Sequence, residues 1–157
     1  MNYVFVLEVT RSSLELGLVR LFSESIKSIL ATMPNTNNRI GIVTFNQAVQ
    51  FYNFNKNFRK PQILHVDDIT DMFIPLQANS NLLVNYNESK SQVDYLLDNL
   101  ETIYKDQYEN ESCYPIAVRS SAILLKFTGG KLLCFATRIP NIPMGYFIFS
   151  SSRKYIF

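Results

Sequence analysis

Tryptophan is absent from this chain of 157 residues, histidine occurs once, cysteine twice and glycine five times, and only 18% of positions are charged. Each shortage closes off a class of function. Cys113, Cys134 and His65 supply neither the number nor the spacing of ligands that a zinc site needs. With no CxxC pair, free thiols are expected. No GxxxxGK[ST] is present, and too few glycines follow the first apolar run for a backbone to cradle phosphates. Apolar runs such as Leu132 to Ala136 and Tyr146 to Phe149 fall far short of the roughly 20 residues of a membrane span. Met1 to Leu7 lacks the basic start and cleavage site of a signal peptide. A cytosolic setting is therefore expected.

What is present suits a folded domain: 47% hydrophobic residues and a length that supports one core. Charge is laid out unevenly. Ten of the thirteen acids lie between Asp67 and Glu111, opposed there only by Lys90 and Lys105, although the whole chain carries +2. Such a segment repels phosphate backbones, so no nucleic-acid partner is expected. The remaining lysines and arginines are dispersed and read as solvated surface.

Periodicity gives the elements. Tyr3 to Val9 is apolar without alternation, as in a strand covered on both faces of a parallel sheet. Ser12 or Ser13 is placed to cap a helix with apolar positions Leu14, Leu18, Leu21, Phe22, Ile26, Ile29 and Leu30, ending before Pro34. Arg39 to Phe45 reads as a second strand and Val49 to Phe54 as a third, antiparallel and at the sheet edge. Between Asn55 and Asn87 only a short strand at Ile63 to Val66 is legible. Asn87 caps a helix with Val93, Leu96, Leu97, Leu100, Ile103 and Tyr104 inward. Another carries Ile116, Val118, Ala122, Ile123, Leu125 and Phe127 and stops at Gly129-Gly130, before a buried strand from Lys131 to Thr137. Strands alternating with helices predict an α/β fold: an open, doubly wound, mostly parallel sheet with one antiparallel edge strand and helices on both faces. In such sheets ligands sit at the carboxyl ends of the strands, here the loops after Val9 and Thr137.

Four motifs recur in order: Phe51-Tyr52-Asn53; Pro61-Gln62 with Val66 and Asp68; Asp71-x-Phe73-x-Pro75-Leu76; and Leu82-Leu83-Val84-Asn85-x-x-Glu88-Ser89. In this order the chain resembles the trunk domain of the cargo-selecting adaptor subunit of the COPII vesicle coat, a von Willebrand A-like fold. The resemblance covers residues 1–140, read as a partial trunk domain; 141–157 does not match and reads as a divergent tail or an extra edge strand. It implies a scaffold, not an enzyme, that pairs with the GTPase-activating subunit of the inner coat and supports cargo selection between endoplasmic reticulum and Golgi. It further implies cargo tails as further ligands and peripheral contact with the membrane at exit sites through the coat alone. The family's zinc module would need four ligands that this chain lacks, so no cofactor is expected.

Glu8-Val9-Thr10-Arg11-Ser12 lies where metal-binding A domains carry Asp-x-Ser-x-Ser. Glutamate moves the carboxylate out by about 1.5 Å, against ligand tolerances of about 0.2 Å, and Arg138 stands where such domains offer Asp. Glu8, Thr10 and Ser12 are therefore read as a degenerate metal site, with Thr10 and Ser12 serving as cap and turn residues. Asp67, Asp68 and Asp71 beside Phe73, Ile74 and Leu76 have the polar rim and apolar centre of a modest interface. The rival readings are a metal-dependent adhesion or ligand-binding A domain and a small α/β enzyme using His65 or Cys113.

Overall fold

The computed structural model describes residues 1–34, 37–67, 74–75 and 81–142. In chain order these form β1 (Asn2–Glu8), α1 (Arg11–Glu15), α2 (Leu18–Thr32), β2 (Arg39–Phe45), β3 (Val49–Asn53), β4 (Gln62–Val66), β5 (Val84–Asn85), α3 (Tyr86–Ile103), α4 (Tyr114–Leu125) and β6 (Lys131–Phe135). The sheet runs β4-β3-β2-β1-β6, with the two-residue β5 also pairing with β2. β1 lies parallel to β2 and β6; β3 runs antiparallel to both β2 and β4. This is the expected open α/β sheet.

Alternation along each strand divides the core in two. Phe5, Leu7, Ile40, Ile42, Tyr52 and Phe54 face α2 and α3, meeting Phe22, Ile26, Val93, Leu96 and Leu100. Val4, Val6, Val43, Phe45, Val49 and Phe51 face the other way, against Ile116, Ala117 and Leu124 of α4. β1 has to be apolar throughout because both its faces are covered. Each such Leu, Val or Phe contributes about 1.5–3 kcal/mol on burial.

Several expectations are corrected. The first helix is two: of the capping candidates Thr10, Ser12 and Ser13 it is Thr10 that caps α1, accepting from the Ser13 N–H, and the chain breaks at Gly17, whose φ is +75°. That left-handed conformation needs glycine. β3 is interior, because β4 takes the edge. Asn85, not Asn87, caps α3. On α4 the buried residues are Ile116, Ala117, Ser120, Ser121, Leu124 and Leu125, while Ala122 is exposed and Phe127 is 79% exposed. Apolar content misled the sequence reading, since two small serines occupy the sheet-facing stripe. β6 ends at Phe135 and is only half-buried, because among the described residues no strand lies beyond it. Residues 143–157 of the tail lie outside the described residues.

One short contact fixes the β2–β5 crossing. A Cβ at Gly41 would stand 2.8 Å from the Leu82 carbonyl oxygen, so only glycine lets the Leu82-Leu83 segment cross there.

Candidate functional site: the carboxyl ends of the parallel strands

β1, β2 and β6 point their carboxyl ends the same way, so the loops that follow them converge. Glu8 closes β1 and is fully buried. Its Oε1 accepts from the Thr10 hydroxyl at 2.8 Å, and its Oε2 accepts from the Thr137 backbone N–H at 2.6 Å and the Thr137 hydroxyl at 3.1 Å. The extra methylene of glutamate lets the carboxylate span from the β1 loop to the loop after β6. A buried charge is tolerable only with such partners. Thr10 passes the order on, accepting from Ser13 N–H at 3.3 Å, while Ser13 donates to the Thr10 carbonyl at 2.8 Å.

Ser12 turns the other way. Its backbone N–H and its hydroxyl both donate to Asn110 Oδ1 at 2.9 Å, and Arg11 N–H donates to the Glu109 carbonyl at 3.0 Å. The segment after α3 thus belts the strand ends together. Cys113 N–H reaches the Asn46 carbonyl at 2.8 Å, and Ser112 N–H donates to Asn141 Oδ1 at 2.7 Å. Thr10, Ser12 and Glu8 are therefore brought to one place, Thr10 and Glu8 bonded to each other and Ser12 turned to Asn110. Arg138, next to Thr137, is exposed. Among the described residues no group of three or more His, Cys, Asp or Glu side chains is arranged to hold a metal ion.

Beneath the belt lies a polar cluster that the sequence reading missed. Thr44, Gln50, Tyr52 and Tyr104 are all buried. The Thr44 hydroxyl lies 2.9 Å from Gln50 Oε1, from the Tyr52 hydroxyl and from the Tyr104 hydroxyl, and the two tyrosine oxygens are 2.8 Å apart. Gln50 Nε2 donates to Asn46 Oδ1 at 3.1 Å, and Asn46 Nδ2 reaches Gln107 Oε1 at 3.3 Å. Burial raises both tyrosine pKa values, Tyr52 well above its usual range. The only signal in the sequence was a threonine inside an otherwise apolar strand.

The other candidates separate. Burial pushes the Cys113 thiol up to about 12, which suppresses the thiolate a nucleophile needs. His65 sits exposed on β4, paired in register with Gln50. Cys134 is half-buried on β6, and burial raises its thiol also. Asp67 is exposed directly after β4, and Ile74 packs against the α4-side core. Asp68, Asp71 and Phe73 lie outside the described residues. Among the described residues no helix is long and apolar enough to cross a membrane.

Against this geometry stand the likenesses to known proteins. Residues 1–154 match the family model described as the Sec23/Sec24 trunk domain. Protein transport protein SEC24 A of Arabidopsis thaliana is 33% identical over 144 residues, covering 91% of this chain and 14% of that protein. The human protein transport protein Sec24A is 35% identical over 144 residues, 91% of this chain and 13% of its own length. The crystal structure of the human COPII-coat protein Sec24c superposes with a TM-score of 0.81 at 33% identity, covering 88% of this chain and 19% of that one. The chain thus spans about one seventh of the curated relatives it matches. Sequence and superposition agree, and the chain belongs to the Sec23/Sec24 trunk domain family.

Proposed function

We propose that this chain is the trunk portion of a Sec24-type cargo adaptor: a non-catalytic scaffold that pairs with the GTPase-activating subunit of the COPII inner coat and supports cargo selection in transport from endoplasmic reticulum to Golgi. The observation that carries this reading is the match to the family over residues 1–154. The strand ends support it, since Glu8, Thr10 and Ser12 spend their hydrogen-bonding capacity on Thr137, Ser13 and Asn110. We take the residues between Asp67 and Leu76 as the contact to that partner, through Asp67, Asp68, Asp71 and Phe73, because acids beside apolar residues make a polar rim around an apolar centre. On this reading the chain works in the cytoplasm, at exit sites and on coated vesicles, touching membrane only through the coat.

The test is capture of the purified GTPase-activating subunit by the folded 157-residue chain, with and without EDTA. Binding that ignores EDTA is expected. No binding by a well-folded sample would overturn the pairing, and EDTA-sensitive binding would favour a metal-dependent ligand-binding A domain instead. Titration calorimetry with magnesium, manganese and calcium should show no one-site binding below about 1 mM. Asp68→Lys combined with Phe73→Ala should weaken capture at least tenfold, about 1.4 kcal/mol; unchanged affinity would remove this segment from the interface.

A further inference from the structure

The sheet ends on one side at β4, which among the described residues pairs only with β3. An outermost strand presents backbone N–H and C=O groups that another extended chain can use. Alongside it runs a groove of about 300 Å³, walled by Lys60, Pro61 and Ile63 on the strand side and by Tyr95, Leu96 and Ile103 of α3 on the other. Tyr95 is 43% exposed and Ile103 39%. Both lie on the flank of α3 beyond the Leu96, Leu97 and Leu100 stripe that packs on the sheet. The cleft between α2 and α3 is different in kind, being lined by Arg20, Glu24, Lys27, Asp98 and Glu101.

Charge tells which kind of segment fits. Arg59 and Lys60 are exposed where the chain enters β4. The nearby Lys56 is held by Glu88 at 2.9 Å. On α3, Asp94 accepts from the Tyr86 hydroxyl at 3.0 Å and Asp98 holds Lys27 at 2.7 Å, while the exposed Glu101 lines the cleft toward α2. The entry to the strand is therefore cationic, next to an apolar wall and an edge that no described strand pairs with. We propose that the β4 edge and the groove it shares with α3 form a docking site for an extended acidic and apolar segment of a partner protein. The segment adds as a further strand, sets an apolar side chain between Ile63 and Tyr95, and places carboxylates against Arg59 and Lys60. The site is on the opposite edge of the sheet from β6; Asp67, where the segment proposed to contact the coat partner begins, follows directly on β4, so the docking test is run on the chain without that partner.

The test uses the folded 157-residue chain and a fluorescein-labelled synthetic peptide of alternating leucine and threonine ending in two aspartates, read by anisotropy and by NMR shifts. Saturable binding is expected, with shifts concentrated in 59–66 and 95–103. Arg59→Glu with Lys60→Glu should weaken it at least tenfold, and Tyr95→Ala comparably. Both variants alter exposed or half-exposed side chains, and an unchanged urea midpoint certifies their folding; Ile103→Ser is the second groove variant. Three results each overturn the proposal: no saturation up to about 1 mM peptide, equal binding of a peptide with serine in place of leucine, or equal binding of a backbone N-methylated peptide that cannot pair as a strand.

Discussion

Removing the Thr44 hydroxyl tests the buried polar cluster most sharply. Gln50 Nε2 donates to Asn46 Oδ1 at 3.1 Å and to the Ala48 carbonyl at 3.3 Å, which fixes the amide so that Oε1 faces Thr44. An amide oxygen only accepts, so the single Thr44 proton goes to Gln50. Thr44 must then accept from a tyrosine, directly from both or through a Tyr52-Tyr104 relay. Thr44→Val keeps the shape but leaves the Gln50 oxygen without its donor and one tyrosine proton without its acceptor. Two unsatisfied buried groups at about 1–3 kcal/mol each, offset by about 0.8 kcal/mol for the added buried carbon, give a loss of about 1–5 kcal/mol. Tyr104→Phe is milder, because Tyr52 can still donate to Thr44 and Thr44 to Gln50; it should cost about 1 kcal/mol. Thr44→Ser keeps the hydroxyl and gives up one methyl, also about 1 kcal/mol. The assay is urea denaturation with unchanged m-value. In a domain of this size the valine change should lower Tm by roughly 2–20 °C. If Thr44→Val costs no more than Thr44→Ser, the proton assignment is wrong.

Glu8→Asp, the residue of metal-binding A domains, draws the carboxylate back by about 1.5 Å from Thr137 N–H. Losing a hydrogen bond to a charged group should cost about 1.5–3 kcal/mol, and Glu8→Gln, which retains the reach, should cost less by urea midpoint. Gly41→Ala should be more damaging than Gly17→Ala. The first drives a Cβ to 2.8 Å from the Leu82 carbonyl oxygen, whereas the second meets only the end of Arg20 at 3.7 Å and carries backbone strain of about 1 kcal/mol. Stability should hold up to about pH 9 and fall above it. Burial raises Cys113 to about 12, and burial together with Asp94 raises Tyr86 to about 12, while the unfolded thiol and phenol titrate near 9.0 and 10.0. The unfolded chain then binds fewer protons than the folded one, so the stability change with pH is negative across that window. An unfolding midpoint that rises between pH 9 and 11 would contradict the sign. The same burial predicts that Cys134 reacts with a thiol reagent at pH 8 well before Cys113.

How much was legible depended on how local the cause was. Val4 to Leu7 and Ile40 to Phe45 declared strands by themselves, because an apolar run bounded by turn residues has few other ways to fold. The order of Pro61, Val66, Phe73 and Leu82 pointed to the family because it persists along the chain without any fold being assumed. α4 was located correctly but rotated wrongly. Its inward stripe includes Ser120 and Ser121, which hydropathy reads as outward. Gly17 looked like a helical position, and only its φ of +75° marks the break.

At the strand ends, composition by itself set the expectation that Glu8 and Arg138 suit a divalent ion poorly, since reach and sign belong to the side chains. Tertiary structure alone decided what those residues do instead. The partners of Glu8 and Ser12, Thr137 and Asn110, are remote in the chain and come within hydrogen-bond distance only when parallel pairing carries β1, β2 and β6 to a common edge. The Thr44 cluster has the same origin. A proton's destination is set by geometry between distant segments, and no local pattern of residues encodes it.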